Sequence, residues 1–525
     1  MSATSPRILR RRVAMKVAVE GCAHGELDRI YEAVRYLQEQ RGVKLDLLIC
    51  CGDFQATRNA ADLQCMAVPP KYRRMCSFYK YYSGEKVAPV LTLFVGGNHE
   101  ASNHLQELAY GGWVAPRIYY LGYAGIVRVG GLRIAGLSGI FKGHDYMKGH
   151  FERPPYSEDS KRSAYHVRHL EVFRLKQVQT PVDIFLSHDW PRGVYHHGDV
   201  NQLLRHKPFF REEVESGSLG SKPCEELLHH LKPCYWFAAH LHTKFAALVR
   251  HSPPDSPDKG GKQHHTRFLA LDKCLPHRKF LQVLDIPHDP VKSLELEYDL
   301  EWLTIVYLTN HLLSVKRGIH YMPGAGADER CNFAPTRQEM DLVLRRLNNN
   351  LTVPLNFTQT VTPYDPAEDA QTLATRPTAQ VNPQTMALCE RLGVDDPMSL
   401  LLEDNAPDSA NASLIEANAS VSFLVTDDSA VELDGSLELD VSTCSPRVSL
   451  RRSAIVLPSP LHSEPDCSDV EVVNSGCDDV STVSQGSTGG EDVSDTPDCQ
   501  PTDPQPKNKK FKRRNQALYQ STDND

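Results

Sequence analysis

Short apolar runs alternate with polar, glycine-containing segments along the first 250 residues of the chain. Short apolar runs bounded by turn-forming residues are typical of buried strands. This pattern predicts strands at residues 15–20, 45–50, 90–95, 118–122, 125–129, 132–137, 182–186 and 235–239. Apolar residues at helical spacing predict helices between them, the clearest at residues 27–40, 72–82 and 224–231. Strands that alternate with helices indicate an α/β layered fold.

The pattern changes after residue 245. Strand-like segments follow at residues 245–249, 268–271, 281–286 and 302–308, and residues 337–347 have helical spacing. We therefore predict a basic leader at residues 1–14, a main domain at residues 15–250 and a smaller α+β C-terminal domain at residues 251–362.

The composition of the last third differs from that of the rest. It is rich in Ser, Asp, Thr, Pro and Glu and poor in aromatic residues, so it cannot bury enough apolar surface to offset chain entropy. We predict a disordered acidic tail at residues 363–525. Residues 361–525 carry 29 acidic and 11 basic side chains, a net charge of −18. Because the whole chain has a net charge of −8, the part before residue 361 has a net charge of +10. A basic front part suits a polyanionic partner.

Several classes of protein are disfavoured. No apolar run reaches membrane-spanning length, and the basic leader is not followed by the apolar segment of a signal peptide. The 14 cysteines are scattered without a CxxC pair, which favours a reduced, intracellular protein. The basic cluster at residues 507–514 (KNKKFKRR) is similar to a nuclear import signal, although a solvated charge run explains it about as well. We expect a nuclear protein, possibly one that shuttles to the cytoplasm, with an import receptor as a partner and no membrane contact.

Chemically active side chains follow the predicted strands, where open α/β sheets place their sites. They are Cys22 and His24, Asp53, Asn98 and His99, His188, and finally His240 with His242. Any one of these histidines alone is more simply an ordinary polar residue. Such residues at five successive strand ends instead favour a metal site, because imidazole, carboxylate, thiolate and amide groups at one sheet edge can hold two metal ions.

This arrangement resembles the calcineurin-like metallophosphoesterases, whose signature is D-x-H, G-D, G-N-H-E/D, H and G-H-x-H. Here the signature reads Cys22-Ala23-His24, Gly52-Asp53, Gly97-Asn98-His99-Glu100, His188 and Ala239-His240-Leu241-His242. Cys22 replaces the usual Asp, and Ala239 replaces the usual Gly. The resemblance implies a layered αββα sandwich.

Longer motifs resemble one family within that superfamily, the lariat debranching enzymes. They are GCAHGELD, CCGDFQA, MAVPPKY, GGNHEASNHL, GGWVAP, SHDWP and AHLHTKFAA, within residues 15 to about 350. The resemblance does not cover the leader or most of the tail. It implies metal-dependent hydrolysis of the 2′-5′ phosphodiester at the branch point of excised intron lariat RNA, which linearises the RNA for turnover.

The resemblance also implies roles for the residues. Asp53 would bridge two metals, with Cys22, His24 and His242 completing one site and Asn98, His188 and His240 the other. His99 would protonate the leaving 2′ oxygen, which suits an imidazole. Glu100 is expected to orient its loop rather than to react.

Cys22 bears on the identity of the metals. A thiolate is a softer ligand than a carboxylate and favours Zn²⁺ or Fe²⁺ over Mg²⁺. The resemblance implies Fe²⁺ with Zn²⁺, with Mn²⁺ able to substitute. The alternative is that Cys22 is a small buried residue beside a weak or empty site.

Residues 138–168 form a polar, aromatic segment that suits RNA. Cations for phosphates and aromatic rings for splayed bases are what single-stranded RNA recognition uses. The candidate contacts are Lys142, Tyr146, Lys148, Phe151, Arg153, Tyr156 and Arg162. Composition alone equally allows a solvated surface loop, but the resemblance places a lariat recognition loop here.

Two other classes of protein stay open. A protein phosphatase on the same scaffold would share the metals but should lack a basic, aromatic loop. A non-catalytic scaffold would have lost ligands, and none is missing from this sequence.

Overall fold

Two β-sheets form the centre of the computed structural model, which describes residues 14–251, 264–326, 329–367 and 376–403. Their strands are β1 (Ala14–Glu20), β2 (Leu47–Cys50), β3 (Leu91–Phe94), β4 (Gly112–Ala115), β5 (Ile118–Tyr120), β6 (Ala124–Val129), β7 (Leu132–Leu137), β8 (Ile184–Ser187), β9 (Tyr235–Ala238), β10 (Phe245–Arg250), β11 (His265–Ala270), β12 (Leu281–Pro287) and β13 (Glu297–Tyr298). One sheet has the order β12-β1-β2-β3-β5-β4, and the other has the order β10-β11-β9-β8-β7-β6-β13.

Helices cover the outer faces of both sheets. They are α1 (Leu27–Arg41), α2 (Phe78–Tyr82), α3 (Ser102–Gln106), α4 (Gly143–Tyr146), α5 (Glu158–Ser163), α6 (His169–Lys176), α7 (Val200–His206), α8 (Arg211–Glu215), α9 (Lys222–Leu231), α10 (Leu300–Leu308), α11 (Arg337–Arg346), α12 (Pro383–Leu392) and α13 (Pro397–Glu403). The helix predicted at residues 72–82 is shorter than expected, because only its second half is α-helical.

Alternation along the strands builds the layers. Val17 and Val19 of β1 and Leu186 of β8 lie in a core between the two sheets. Their neighbours point the other way: Ala18 packs in the cluster that includes α1, and Phe185 packs in the cluster that includes α9. Successive side chains of a strand face opposite sides, so a strand buried on both faces is apolar throughout. The predicted αββα layering is confirmed.

The C-terminal part of the chain completes both sheets. β12 pairs antiparallel with β1, and β11 lies between β10 and β9. The boundary predicted at residue 250 therefore falls between two strands that are hydrogen-bonded to each other. The regular elements among the described residues after β13 are helices.

The prediction of a strand at residues 302–308 is wrong, because these residues form most of helix α10. Its apolar run has no clear period, and a short buried helix cannot be distinguished from a buried strand on that basis. Asp299 fixes the helix start, since its side chain accepts a hydrogen bond from the Trp302 amide. The helix is apolar on nearly every side because it is buried beneath α11.

The disorder predicted from residue 363 onwards is also wrong for residues 376–403, which contain α12 and α13. Gln384 of α12 exchanges two hydrogen bonds of 2.9 Å with the backbone of Trp113. Residues 368–375 and 404–525 of the predicted tail, with the basic cluster at residues 507–514, lie outside the described residues. Residues 1–13 of the predicted leader do so as well.

None of the helices in the described ranges has the length and hydrophobicity needed to cross a membrane.

Asp299 joins the C-terminal helices to the second sheet, and its removal should destabilise the fold. It is fully buried and accepts bonds of 2.8 and 2.7 Å from Arg133 of β7, which is 3 % exposed. We expect Asp299→Ala to lower the free energy of unfolding by about 3–5 kcal/mol, because it leaves a buried cation underpaired and a helix uncapped. Urea unfolding measures this, with the exposed Asp341→Ala as control; equal midpoints would contradict the assignment.

Candidate metal centre

The loops that follow five strands meet at one end of the sandwich. They start where β1, β2 and β3 of the first sheet and β8 and β9 of the second sheet end. Each loop carries residues that the sequence singles out, namely Cys22 and His24, Asp53, Asn98 and His99, His188, and His240 with His242.

Asp53 lies at the centre of this group and is 1 % exposed. Its Oδ2 is 3.7 Å from His24 Nε2, and its Oδ1 is 3.2 Å from His188 Nε2. Oδ1 also accepts a 2.8 Å hydrogen bond from the backbone amide of His99. The two oxygens of one carboxylate therefore face two different sets of ligand atoms.

The first set consists of Cys22, His24, Asp53 and His242. One ligand atom from each of these residues lies within 4.8 Å of the others. The Nε2 atoms of His24 and His242 face each other at 3.4 Å. A thiol, a carboxylate and two imidazoles at this spacing suit a four-coordinate divalent metal.

The second set is arranged around His188. Its Nε2 is 3.2 Å from both Asn98 Oδ1 and His240 Nδ1. Its other ring nitrogen, Nδ1, is 2.9 Å from the backbone carbonyl of Cys51. A hydrogen bond at that position fixes the tautomer so that Nε2 is free to bind a metal. All seven predicted ligands are therefore brought together.

The protonation states of these groups fit a pair of cations. Burial lowers the pKa of His24 to about 4, of His240 to about 3 and of His242 to about 2, so each ring is neutral and offers a lone pair. His188 differs, because burial lowers its pKa but Asp53 raises it to about 9. Without a metal, the extra proton on His188 balances the negative charge of Asp53, and a bound cation would do the same.

Cys22 needs a neighbouring cation to ionise. Burial, together with Asp53 and Glu20, raises the pKa of its thiol well above the usual value. The thiolate is the form that binds metals, and a bound cation stabilises it outright. The Sγ atom already accepts a 3.3 Å hydrogen bond from the His240 amide, so it is held within the site.

Two glycines make room for this packing. A Cβ atom at Gly52 would lie 2.3 Å from His188 Nδ1, and one at Gly97 would lie 2.3 Å from Asp53 Oδ1. Neither approach is possible with a larger residue, since real Cβ contacts are never this short. The glycines of the G-D and G-N-H motifs are therefore required by close approach to the ligands.

The ligands lie on strained backbone. Positive φ angles of 45°, 45°, 60° and 48° occur at His24, Asp53, His240 and His242. This left-handed region is unfavourable for residues other than glycine and costs about 1–3 kcal/mol at each position. Such strain is retained where the surrounding structure enforces it, and here it accompanies the convergence of four side chains on the candidate metal centre.

Glu100 holds two of the ligand loops together. Its carboxylate accepts hydrogen bonds from the amides of Phe54 and Gln55 at 2.7 and 2.8 Å and from the amide of Gly97 at 2.9 Å. The loop after β3 is thereby fixed to the loop after β2. The prediction that Glu100 orients its loop is confirmed.

Asp189 is a site residue that the sequence analysis missed. Its Oδ2 accepts a 2.8 Å hydrogen bond from the Phe141 amide, and its Oδ1 is 3.7 Å from His240 Nε2. It therefore lies between the start of the 138–168 segment and His240, a candidate metal ligand. Its position directly after His188 was the available signal.

His99 lies beside the ligands without belonging to either set. Its ring centre is 5.3 Å from that of His24 in an edge-on arrangement, and the residue is half-buried. Only its backbone amide contacts Asp53. The half-buried ring therefore lies next to the first set of candidate ligands and keeps part of its surface exposed.

The 138–168 segment presents only some of its predicted RNA contacts to solvent. Lys142 and Arg162 are exposed, and four are half-buried: Tyr146, Lys148, Phe151 and Arg153. Tyr146 packs against the core beside the second sheet. The segment is a folded layer with α4 and α5 rather than an open loop.

Tyr156 is not available to RNA, contrary to the prediction. It is 5 % exposed, and its hydroxyl donates a hydrogen bond to Gln106 Oε1. This burial could not be predicted, because a tyrosine in a polar segment has the same sequence pattern whether it faces solvent or anchors the segment.

The sandwich and its paired ligand sets define a calcineurin-like metallophosphoesterase. The family model described as "Calcineurin-like phosphoesterase" matches residues 15–244. A second family model, "Lariat debranching enzyme, C-terminal domain", matches residues 263–397.

Relatives extend these matches over most of the chain. The lariat debranching enzyme of Drosophila melanogaster is 48 % identical and covers 97 % of this chain and 99 % of its own length. That of Homo sapiens is 59 % identical over 73 % of this chain and 70 % of its own. That of Arabidopsis thaliana is 46 % identical over 79 % of this chain and 94 % of its own length. The chain belongs to the lariat debranching enzymes.

Replacing Asp53 tests whether one carboxylate serves both sets of candidate ligands. We expect Asp53→Ala to lose both metals or to hold them weakly, because each set depends on one of its oxygens. Elemental analysis of the purified variant, with exposed Asp341→Ala as control, measures this. A variant that keeps one tightly bound metal would show that the carboxylate does not serve both sets.

Proposed function

We propose that this protein hydrolyses the 2′-5′ phosphodiester at the branch point of excised intron lariat RNA, using two divalent metals. The observation that carries the proposal is the convergence of all seven predicted ligands around Asp53. The substrate is supported by the relatives, which bear the name lariat debranching enzyme and match the chain over most of its length.

The chain's own residues define what the centre does. Two cations held there would neutralise phosphate charge and activate water. Asp53 and the imidazoles fix the positions of both ions, and Glu100 and Asp189 keep the ligand loops rigid. The half-buried His99 ring stands beside the ligands and can hold the proton that the departing 2′ oxygen needs.

The substrates that wild-type protein cleaves test this proposal. We expect it to open a branched oligonucleotide at the 2′-5′ linkage and to leave a linear RNA of the same sequence intact. A small chromogenic diester, which reaches only the metals, reports whether the centre is active. Hydrolysis of the chromogenic diester without cleavage of branched RNA would indicate a general phosphoesterase and overturn the assignment.

His99→Ala should keep both metals but lower cleavage of branched RNA by about 10²–10⁴-fold, the usual range for general acid catalysis. The loss should be smaller for a nitrophenyl diester, because nitrophenolate departs without a proton. Rates on both substrates and elemental analysis measure this, with His311→Ala, an exposed histidine, as control. Loss of metal from the variant would make His99 a ligand instead.

We also propose that the metals are Fe²⁺ and Zn²⁺, with Mn²⁺ able to substitute. Support comes from the donor set, since Cys22 adds a thiolate and His24 and His242 add nitrogen, which borderline metals prefer. Elemental analysis of protein purified without oxygen identifies the metals. Activity with Mg²⁺ alone would speak against a role for the thiolate.

We further propose that the protein is nuclear, with shuttling to the cytoplasm, and that an import receptor recognises residues 507–514. The support is the compact basic cluster in an otherwise acidic part of the sequence. Replacing its six Lys and Arg residues by Gln should abolish nuclear enrichment of the full-length protein. Imaging measures this, and unchanged localisation would contradict the proposal.

A further inference from the structure

The 138–168 segment pairs with a segment of the C-terminal part of the chain, residues 314–322. The Gly149 amide donates to the Lys316 carbonyl at 3.1 Å, and the His150 amide donates to the Ser314 carbonyl at 3.2 Å. The His320 amide returns a 2.7 Å bond to Met147. The two segments therefore form a short antiparallel ribbon, although the two family models cover them separately.

The ribbon gathers positive charge around one aromatic ring. Arg317, Arg168 and Lys148 lie 5.6, 5.8 and 6.0 Å from the centre of the half-buried Phe151 ring. Lys148 is paired with Asp145 at 2.8 Å, and Arg168 is paired with Glu152 at 2.6 Å. Within the described ranges, no carboxylate pairs with Arg317, which is exposed.

A cleft lies between the two halves of the ribbon. Its lining includes Met147, Lys148, Arg168, His320 and Met322. Arg168 is 1 % exposed, yet among the described residues its Nε has no hydrogen-bond partner. A buried donor without a partner is costly and uncommon in a native protein.

The C-terminal half of the ribbon also exposes apolar surface. Tyr321 is 79 % exposed and Ile319 is 63 % exposed, and the exposed cations Lys316 and Arg317 precede them in the same segment. An exposed aromatic ring and exposed cations on one segment suit single-stranded RNA, because a ring can stack on a base while cations contact phosphates. The charge favours RNA over an apolar protein partner.

The ribbon is continuous with the candidate metal centre. Near the start of the 138–168 segment, the Phe141 amide donates a hydrogen bond to Asp189, which lies beside the candidate ligand His240. The same segment then carries Lys142 and continues into the ribbon at Met147. An RNA strand that leaves the metal centre along this segment therefore reaches residues 316–321.

We propose that residues 316–321 form the second wall of the RNA-binding surface and bind a single-stranded arm of the substrate beyond the branch nucleotides. Arg317 and Lys316 contact its phosphates, and Tyr321 stacks on one of its bases. The proposal rests on the proposed function, since the arm is that of the branched substrate. It assigns substrate recognition to both parts of the chain.

Branched RNAs with arms of different length distinguish binding by residues 316–321 from hydrolysis at the branch point. The probes are a branched oligonucleotide with long arms and a version trimmed to the branch nucleotides. We expect Tyr321→Ala to lower kcat/KM for the long-armed RNA about 5- to 100-fold relative to the trimmed RNA, which is the range for one lost base stack. Tyr36→Ala is the matched control, because Tyr36 is half exposed on α1.

Salt dependence tests the cations. Fluorescence anisotropy of a labelled single-stranded RNA, measured with full-length protein, gives the slope of log affinity against log salt. Arg317→Ala should make this slope shallower by about 0.7 for each lost phosphate contact. Arg345→Ala, an exposed arginine on α11, should leave the slope unchanged.

Two outcomes overturn the proposal: variants that behave like their controls, or variants that weaken the trimmed and long-armed substrates equally. Failure of the proposed function looks different, because wild-type protein would then not cleave branched RNA at all. The anisotropy measurement needs no cleavage and still decides whether residues 316–321 bind RNA.

Discussion

The carboxylate of Asp53 is the group on which the rest of the structure depends. It is buried at the end of β2, and each of its oxygens faces its own set of donors. A buried charge is costly unless opposite charge surrounds it, so the fold must bring a counter-charge to this point. The neutral imidazoles of His24, His240 and His242 cannot supply that charge themselves. His188, whose pKa Asp53 raises to about 9, supplies one positive charge, and divalent metals held by the two candidate ligand sets would supply more.

The surrounding features follow from this requirement. Gly52 and Gly97 let the loops approach the ligands, and Glu100 fastens those loops through three backbone amides. The C-terminal part braces the same frame from outside: β11 and β12 enter both sheets. The buried Arg58 reaches Glu107 at 2.6 Å and Thr360 at 2.7 Å. The C-terminal part thus supports the frame that holds the metal ligands.

Sequence reasoning identified the ligands because their positions follow from local rules. Each ligand comes directly after a short apolar run, and such runs form strands whether or not the remainder of the fold is known. Parallel strands then bring their ends to one edge, so a one-dimensional motif becomes a three-dimensional site. The same logic placed β1, β2, β3, β8 and β9 within a few residues of their observed bounds.

Residue types and spacing along the chain by themselves determined the layered fold and the positions of the candidate ligands, because strand ends and alternation depend only on near neighbours. Only the tertiary structure decided what depends on distant partners. Residues 302–308 form a helix because the packing of α11 and the cap by Asp299 favour it over a strand. Tyr156 is buried because Gln106 accepts its hydroxyl. Residues 314–322 join the 138–168 segment through backbone bonds, which no side-chain pattern records, since every residue type carries the same amide and carbonyl groups.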